Sequence, residues 1–156
     1  MQRPMIGFAL DAHGDWTARL SRGHVQHVRH TPPFQHREWV TSEADRAARL
    51  GQRLDCLRCD DFELPADFVA YRRTATFSET SIPDALRQEH ATKAGVWGKI
   101  LVEDGRLRYA VPPLARQFEL TPTQPGIVVS EVQHHVEPCG TVRFYVEFYR
   151  APLGAA

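Results

Sequence analysis

Apolar and polar positions follow two different rhythms along this chain. Near the start, "MIGFALD" and "WTARLSR" flank "AHGD", and a glycine-containing break between two strand-like runs predicts a hairpin over residues 5–22. "TPPF" then interrupts any regular element, because two prolines cannot sit inside a central strand or a helix. "TSEADRAARLG" predicts a short helix: Ser42 caps it, acids occupy its first turn, arginines its last, and Gly51 stops it. The acidic, proline-bearing "DFELPADF" reads as a connector. It separates a first module over 1–62 from a second over 71–152.

From Tyr71 the strand rhythm takes over. "SIPDALRQEH" is a short helix whose Pro83 is tolerated in the first turn. "GVWGKILVEDGRLRYAV" predicts a hairpin about Asp104–Gly105, with Leu107, Tyr109 and Val111 on one face and Arg106, Arg108 and Ala110 on the other. "QFELTP", "GIVVSEV", "HHVEP" and "TVRFYVEFYR" follow between prolines and glycines. Five or six short strands with no long helix predict a mainly β module, a sandwich or a barrel.

Composition narrows the function classes. The 156 residues fit one ordinary domain or two small ones, and the formal net charge is zero. Met1–Cys59 carries nine arginines against six acids, and the rest ten basic residues against thirteen acids. That asymmetry is too small for a protein held on nucleic acid by charge, so a contact through Arg19, Arg22, Arg29 and Arg37 is the weakest reading. No apolar run suits a signal peptide or a bilayer span of ~18–20 residues. The expectation is a cytoplasmic protein with no membrane partner. Three cysteines in a reducing compartment do not make a disulfide framework; Cys139 stands alone, as a buried or turn residue.

Cys56 and Cys59, in "DCLRCDD", do carry chemistry. Two intervening residues let both thiolates meet one ion across a tight turn, half of a tetrahedral zinc site. Half of the eight histidines lie in "GHVQHVRHTPPFQH", and the other ligands must come from His24, His27 and His30. These cannot all face one way on a strand, since His27 differs in parity from its neighbours. Zinc, a lost site with free thiols and a redox-active C-x-x-C are the competing readings. His13 and His36 have no spacing argument and read as surface residues.

Two resemblances sharpen this picture. "YRRT", "HATKAGVWGKILVEDGRLRY" and "PGIVVSEVQHHVEPCGTVRFYVEFYR" resemble the TehB/YeaR-like domain found alone or ahead of a tellurite-resistance methyltransferase. That resemblance implies a cupin-type β-barrel of the double-stranded β-helix kind, and a homodimer as its habitual assembly. No glycine-rich nucleotide loop is present to build a methyltransferase. Cupins hold a divalent metal with inward histidines and a carboxylate; the usual first motif is missing, leaving His90, His134 and Glu147 as the candidate set. His134 and His135 are adjacent, so only one faces the interior, and the family pattern matches His134. Trp97 and Tyr109 read as packing residues.

The first module resembles a short bacterial domain of unknown function that travels with this barrel. "IGFALDAHGDW", "RGHVQHVRHTPP", "EWV" and "LGQRLDCLRC" reproduce its pattern except that Arg22 stands where a cysteine precedes Gly23. The expected architecture is thus a hairpin and short helix in a zinc-ribbon-like module, then a cupin-like barrel. The expected role is binding a small ligand or metal ion in a stress response to oxyanions. A metal-dependent oxygenase or isomerase using His90 and His134 is the alternative.

Overall fold

The first hairpin forms where the alternation places it. In the computed structural model, which describes residues 1–154, β1 (Gln2–Leu10) pairs antiparallel with β2 (Trp16–Leu20). The turn is closed by Asp11, whose Oδ1 accepts from the amides of His13 at 2.8 Å and Asp15 at 2.9 Å, adding to the backbone bonds Asp11 N–H to Asp15 O and Gly14 N–H to Asp11 O. β3 (Val25–His27) adds to β2, and β4 (Arg53–Asp55) to β1, giving the sheet order β3-β2-β1-β4. Helix α1 (Glu43–Ala48) starts where Ser42 accepts from the Asp45 amide, and Gly51 follows it at φ +84. Met5, Ala18, Leu20, Val28 and Val40 form the small core. A four-residue helix, α2 (Leu57–Asp60), closes this unit.

The chain divides at Pro65/Ala66 into two compact units. In the second, β5 (Val69–Arg73), β6 (Phe77–Ser78) and the short helix α3 (Asp84–Arg87) precede β7 (Trp97–Val111). β8 (Arg116–Leu120), β9 (Gly126–Val128) and β10 (His135–Arg150) complete it. All six strands belong to one sheet, built on the β7–β10 pair.

Asp104–Gly105 is not the predicted hairpin turn. β7 runs straight through it as one 15-residue strand. Gly105 sits at φ +77, and a Cβ there would lie 2.1 Å from the Thr141 carbonyl oxygen. The pairing with β10 slips between Pro138 and Val142. The extra residues of this irregularity lie on β10, and the glycine lets Thr141 approach β7 closely, a use of glycine that a turn signal mimics. The reversal comes instead at the turn Pro112–Leu114, with Ala115 left-handed at φ 50.

The two ends of β7 decide the shape. β9 pairs with Gly98–Ile100 at the start of β7, and β8 with Leu107–Val111 at its end. The sheet curls into a half-barrel, and the protein is mainly β, with 47% strand and 13% helix. Leu107, Tyr109 and Val111 are buried on one face of β7, as the alternation requires, while Arg106 and Arg108 are exposed. Each such fully buried aliphatic side chain stabilises the fold by about 1.5–3 kcal/mol.

Candidate metal centre and cavity

His24 lies just after the β2–β3 reversal, which is closed by Leu20 N–H donating to the His24 carbonyl at 2.8 Å and Gly23 N–H to the Leu20 carbonyl at 2.9 Å. Cys56 is the N-cap residue of α2, and Cys59 lies one turn later on it. The hairpin and the helix thus converge, and all three side chains are buried. His24 Nδ1 is 3.2 Å from Cys56 Sγ and 3.3 Å from Cys59 Sγ.

Those separations fit an ion. Tetrahedral zinc holds sulfur at about 2.3 Å and nitrogen at about 2.0–2.1 Å, which sets sulfur–nitrogen contacts at about 3.5 Å. The second ring nitrogen fixes the chemistry further. His24 Nε2 lies 2.9 Å from the Glu63 carbonyl oxygen, which can only accept, so Nε2 carries the proton and Nδ1 carries the lone pair. One lone pair then faces two sulfurs. A single hydrogen bond cannot satisfy both thiols through it, whereas one ion can serve all three groups.

The surroundings add charge. Burial pushes the Cys59 thiol up to about 11, with Cys56 acting in the same direction and the Arg3 guanidinium partly offsetting both. Arg22, at the position of the missing cysteine, is buried, and its Nη1 donates to Met1 Sδ at 3.7 Å. Arg3 donates to the same sulfur. A cleft of about 270 Å³ opens beside the trio, lined by His24, Val25, Gln26, Cys56, Leu57 and Arg58.

His27 and His30 do not join the sulfurs. His27 Nε2 bonds Asp11 Oδ2 at 2.8 Å, because its strand parity opposes that of His24. It forms, with Asp11 and Asp15, a second and more exposed group of candidate ligands. The His27 ring, with the Asp15 amide, holds the Asp11 carboxyl down at about 2. Arg29 pairs with Asp15 at 2.8 Å. His30 Nδ1 accepts from the Arg37 amide at 3.0 Å and pins the intervening loop.

In the second unit a cavity of about 380 Å³ lies within the curl of the sheet. Val128, Val136, Phe144, Val146 and Phe148 wall it, and His90 and His134 stand together on it. An isolated bridge couples them, with His90 N–H to the His134 carbonyl at 3.0 Å and His134 N–H to the His90 carbonyl at 2.9 Å. Their ring centroids are 4.2 Å apart. His134 Nδ1 donates to the Val132 carbonyl at 2.9 Å, and His90 Nδ1 to the Gln88 carbonyl at 3.0 Å. Burial pulls His134 down to about 4, so its ring is neutral and its Nε2 is an acceptor.

Glu147 does not complete this pair. Val146 and Phe148 line the cavity, so the residue between them points to the other face of β10. There its Oε2 accepts from the Tyr149 hydroxyl at 2.8 Å. Among the described residues no cluster of three ligands includes His90 or His134. Thr92 belongs to the run "HATKAGVWG" that carries the family resemblance, but nothing in that pattern signals that its Oγ1 is buried with no partner. The Glu63 carbonyl, a backbone group, was equally invisible.

Comparison with known proteins places both halves. Residues 72–146 match the TehB-like domain family. This segment is a TehB-like domain. Ahead of it, residues 6–63 match DUF3565, a protein family of unknown function. The crystal structure of TehB from Haemophilus influenzae superposes with a TM-score of 0.51 at 21% identity, over 56% of this chain and 33% of that one. The present chain therefore spans about a third of that protein's length. A crystal structure of a protein from E. coli strain K12 gives a TM-score of 0.51 at 20% identity, covering 58% of this chain and 97% of the other. At such identities the likeness establishes the fold. No curated protein matches the chain at a significant level. Among the described residues, no helix is long and apolar enough to cross a membrane.

Proposed function

We propose that this is a binding protein of the tellurite-resistance-related family, built from a zinc-holding module and a cupin-type half-barrel that takes a small ligand. His24 Nδ1 and the Cys56 and Cys59 thiolates hold the ion. With Arg22 in place of a fourth protein ligand, the remaining position belongs to water or a small exchangeable ligand arriving through the adjoining cleft. The observation that carries the reading is the single Nδ1 lone pair of His24, oriented by the Glu63 carbonyl and addressed by two buried sulfurs within 3.3 Å. A bound cation would draw the three ligand atoms to one point and favour both thiolates. Bound zinc is here a site of affinity, and no turnover is assigned to it.

Elemental analysis of purified protein tests this. The wild type should carry one zinc per chain, Cys56→Ser and His24→Ala should lose it, and His134→Ala should keep it. Zinc retained in Cys56→Ser, or lost only in His134→Ala, would move the metal out of the first module and defeat the reading.

A further inference from the structure

The cavity in the half-barrel has a chemistry of its own, independent of the metal centre. At about 380 Å³ it lies in the size range of small-molecule sites, apolar for most of its wall with a few convergent polar groups. Three features define what it accepts. Arg72 and Lys93 line it, and no aspartate or glutamate does, so its charge complement is an anion. His134, neutral and donating through Nδ1 to Val132, presents only a lone pair on Nε2 and needs a ligand donor. Phe144 and Phe148 stand together on its wall.

We propose that this cavity binds a hydroxy-substituted aromatic carboxylate, with its ring packed against Phe144 and Phe148, its hydroxyl donating to His134 Nε2, and its carboxylate at the Arg72 and Lys93 rim. The two phenylalanines and the valines between them supply a flat, dry wall suited to a ring. A ligand lacking the hydroxyl leaves His134 unserved; one lacking the carboxylate gains nothing from the cations. Binding is non-covalent and involves no group transfer.

The test is an amide-resolved NMR titration of the full chain with para-hydroxybenzoate, benzoate and para-cresol. Para-hydroxybenzoate should shift the Thr92, Gly98 and Val136 amides saturably, and benzoate and para-cresol should each bind at least about fivefold more weakly, the worth of one hydrogen bond or ion pair. His134→Phe, which keeps a flat ring and removes the acceptor, should weaken para-hydroxybenzoate about fivefold and leave benzoate unchanged. The double variant Arg72→Gln/Lys93→Gln should weaken both carboxylates and leave para-cresol unchanged. Leu86→Trp, which fills the cavity from the short helix beside it, should abolish all three responses, with spectral dispersion before titration reporting that the variant is folded. The proposal is overturned if para-hydroxybenzoate gives no saturable shift, if the three probes bind alike, or if His134→Phe binds them as the wild type does.

Discussion

The Nε2–H of His24 donates to the Glu63 carbonyl at 2.9 Å, and this contact decides which nitrogen faces Cys56 and Cys59. The carbonyl belongs to the segment just after α2, the helix that carries the sulfurs. One short stretch of chain therefore supplies both thiols and the group that orients the imidazole. Removing the ion should loosen more than the ligands.

Chelation measures that dependence. With a strong zinc chelator present, the thermal transition of the first unit should fall by at least about 10 °C, since 1 kcal/mol shifts a domain of this size by about 4–8 °C and structural zinc supplies several kcal/mol. Calorimetry reads the change. A single unshifted transition would mean that no ion stabilises the fold.

Arg22 stands where the resemblance expects a cysteine, and on the proposed zinc reading Arg22→Cys should supply a further thiolate. Competition against a colorimetric chelator should show zinc affinity raised at least about tenfold, because a thiolate replaces a neutral ligand on a soft-accepting cation. Unchanged affinity would show that position 22 does not reach the ion.

His134 makes stability depend on pH in a defined direction. Its ring titrates at about 4 in the folded chain against 6.5 when exposed, so the unfolded state binds more protons between those values. The stabilisation is complete above about pH 6.5 and is lost as pH falls toward about 4. Its size is roughly 3 kcal/mol. Chemical denaturation across this window should show the decline, and His134→Gln should flatten it. An equal slope in both proteins would contradict the assignment.

Gly105 tests the contact of β7 with Thr141. Gly105→Ala places a methyl against the Thr141 carbonyl at a positive φ, and should destabilise the second unit by roughly 2–4 kcal/mol. Gly14→Ala, also at positive φ but with nothing within 4 Å, should cost about 1 kcal/mol. Urea midpoints compare the two, and equal costs would remove the close approach of β7 and β10 from the account.

Much of the fold was legible before any coordinates. The Asp11 turn, the Ser42 cap and the buried Leu107–Tyr109–Val111 face follow from local rules that act within a few residues. The close approach at Gly105 was not, because aspartate–glycine suits a turn and a strand irregularity equally, and only the long pairing with β10 selects between them. At the candidate metal centre, C-x-x-C gave both sulfurs. Parity separated His27 from His24 but could not say which of them faced inward, since that depends on how β3 meets the helix 30 residues later. Glu147 entered the candidate set as the carboxylate that a cupin-type site implies, but Val146 and Phe148 take the cavity face of β10 and turn it the other way.

X-ray absorption at the zinc edge of the purified protein tests the central claim most directly. Zinc in a shell of two sulfurs at about 2.3 Å with nitrogen or oxygen at about 2.0–2.1 Å, reduced to one sulfur in Cys59→Ser, is the predicted result. A zinc shell without sulfur, or protein purified free of zinc that gains none when it is supplied, would contradict it.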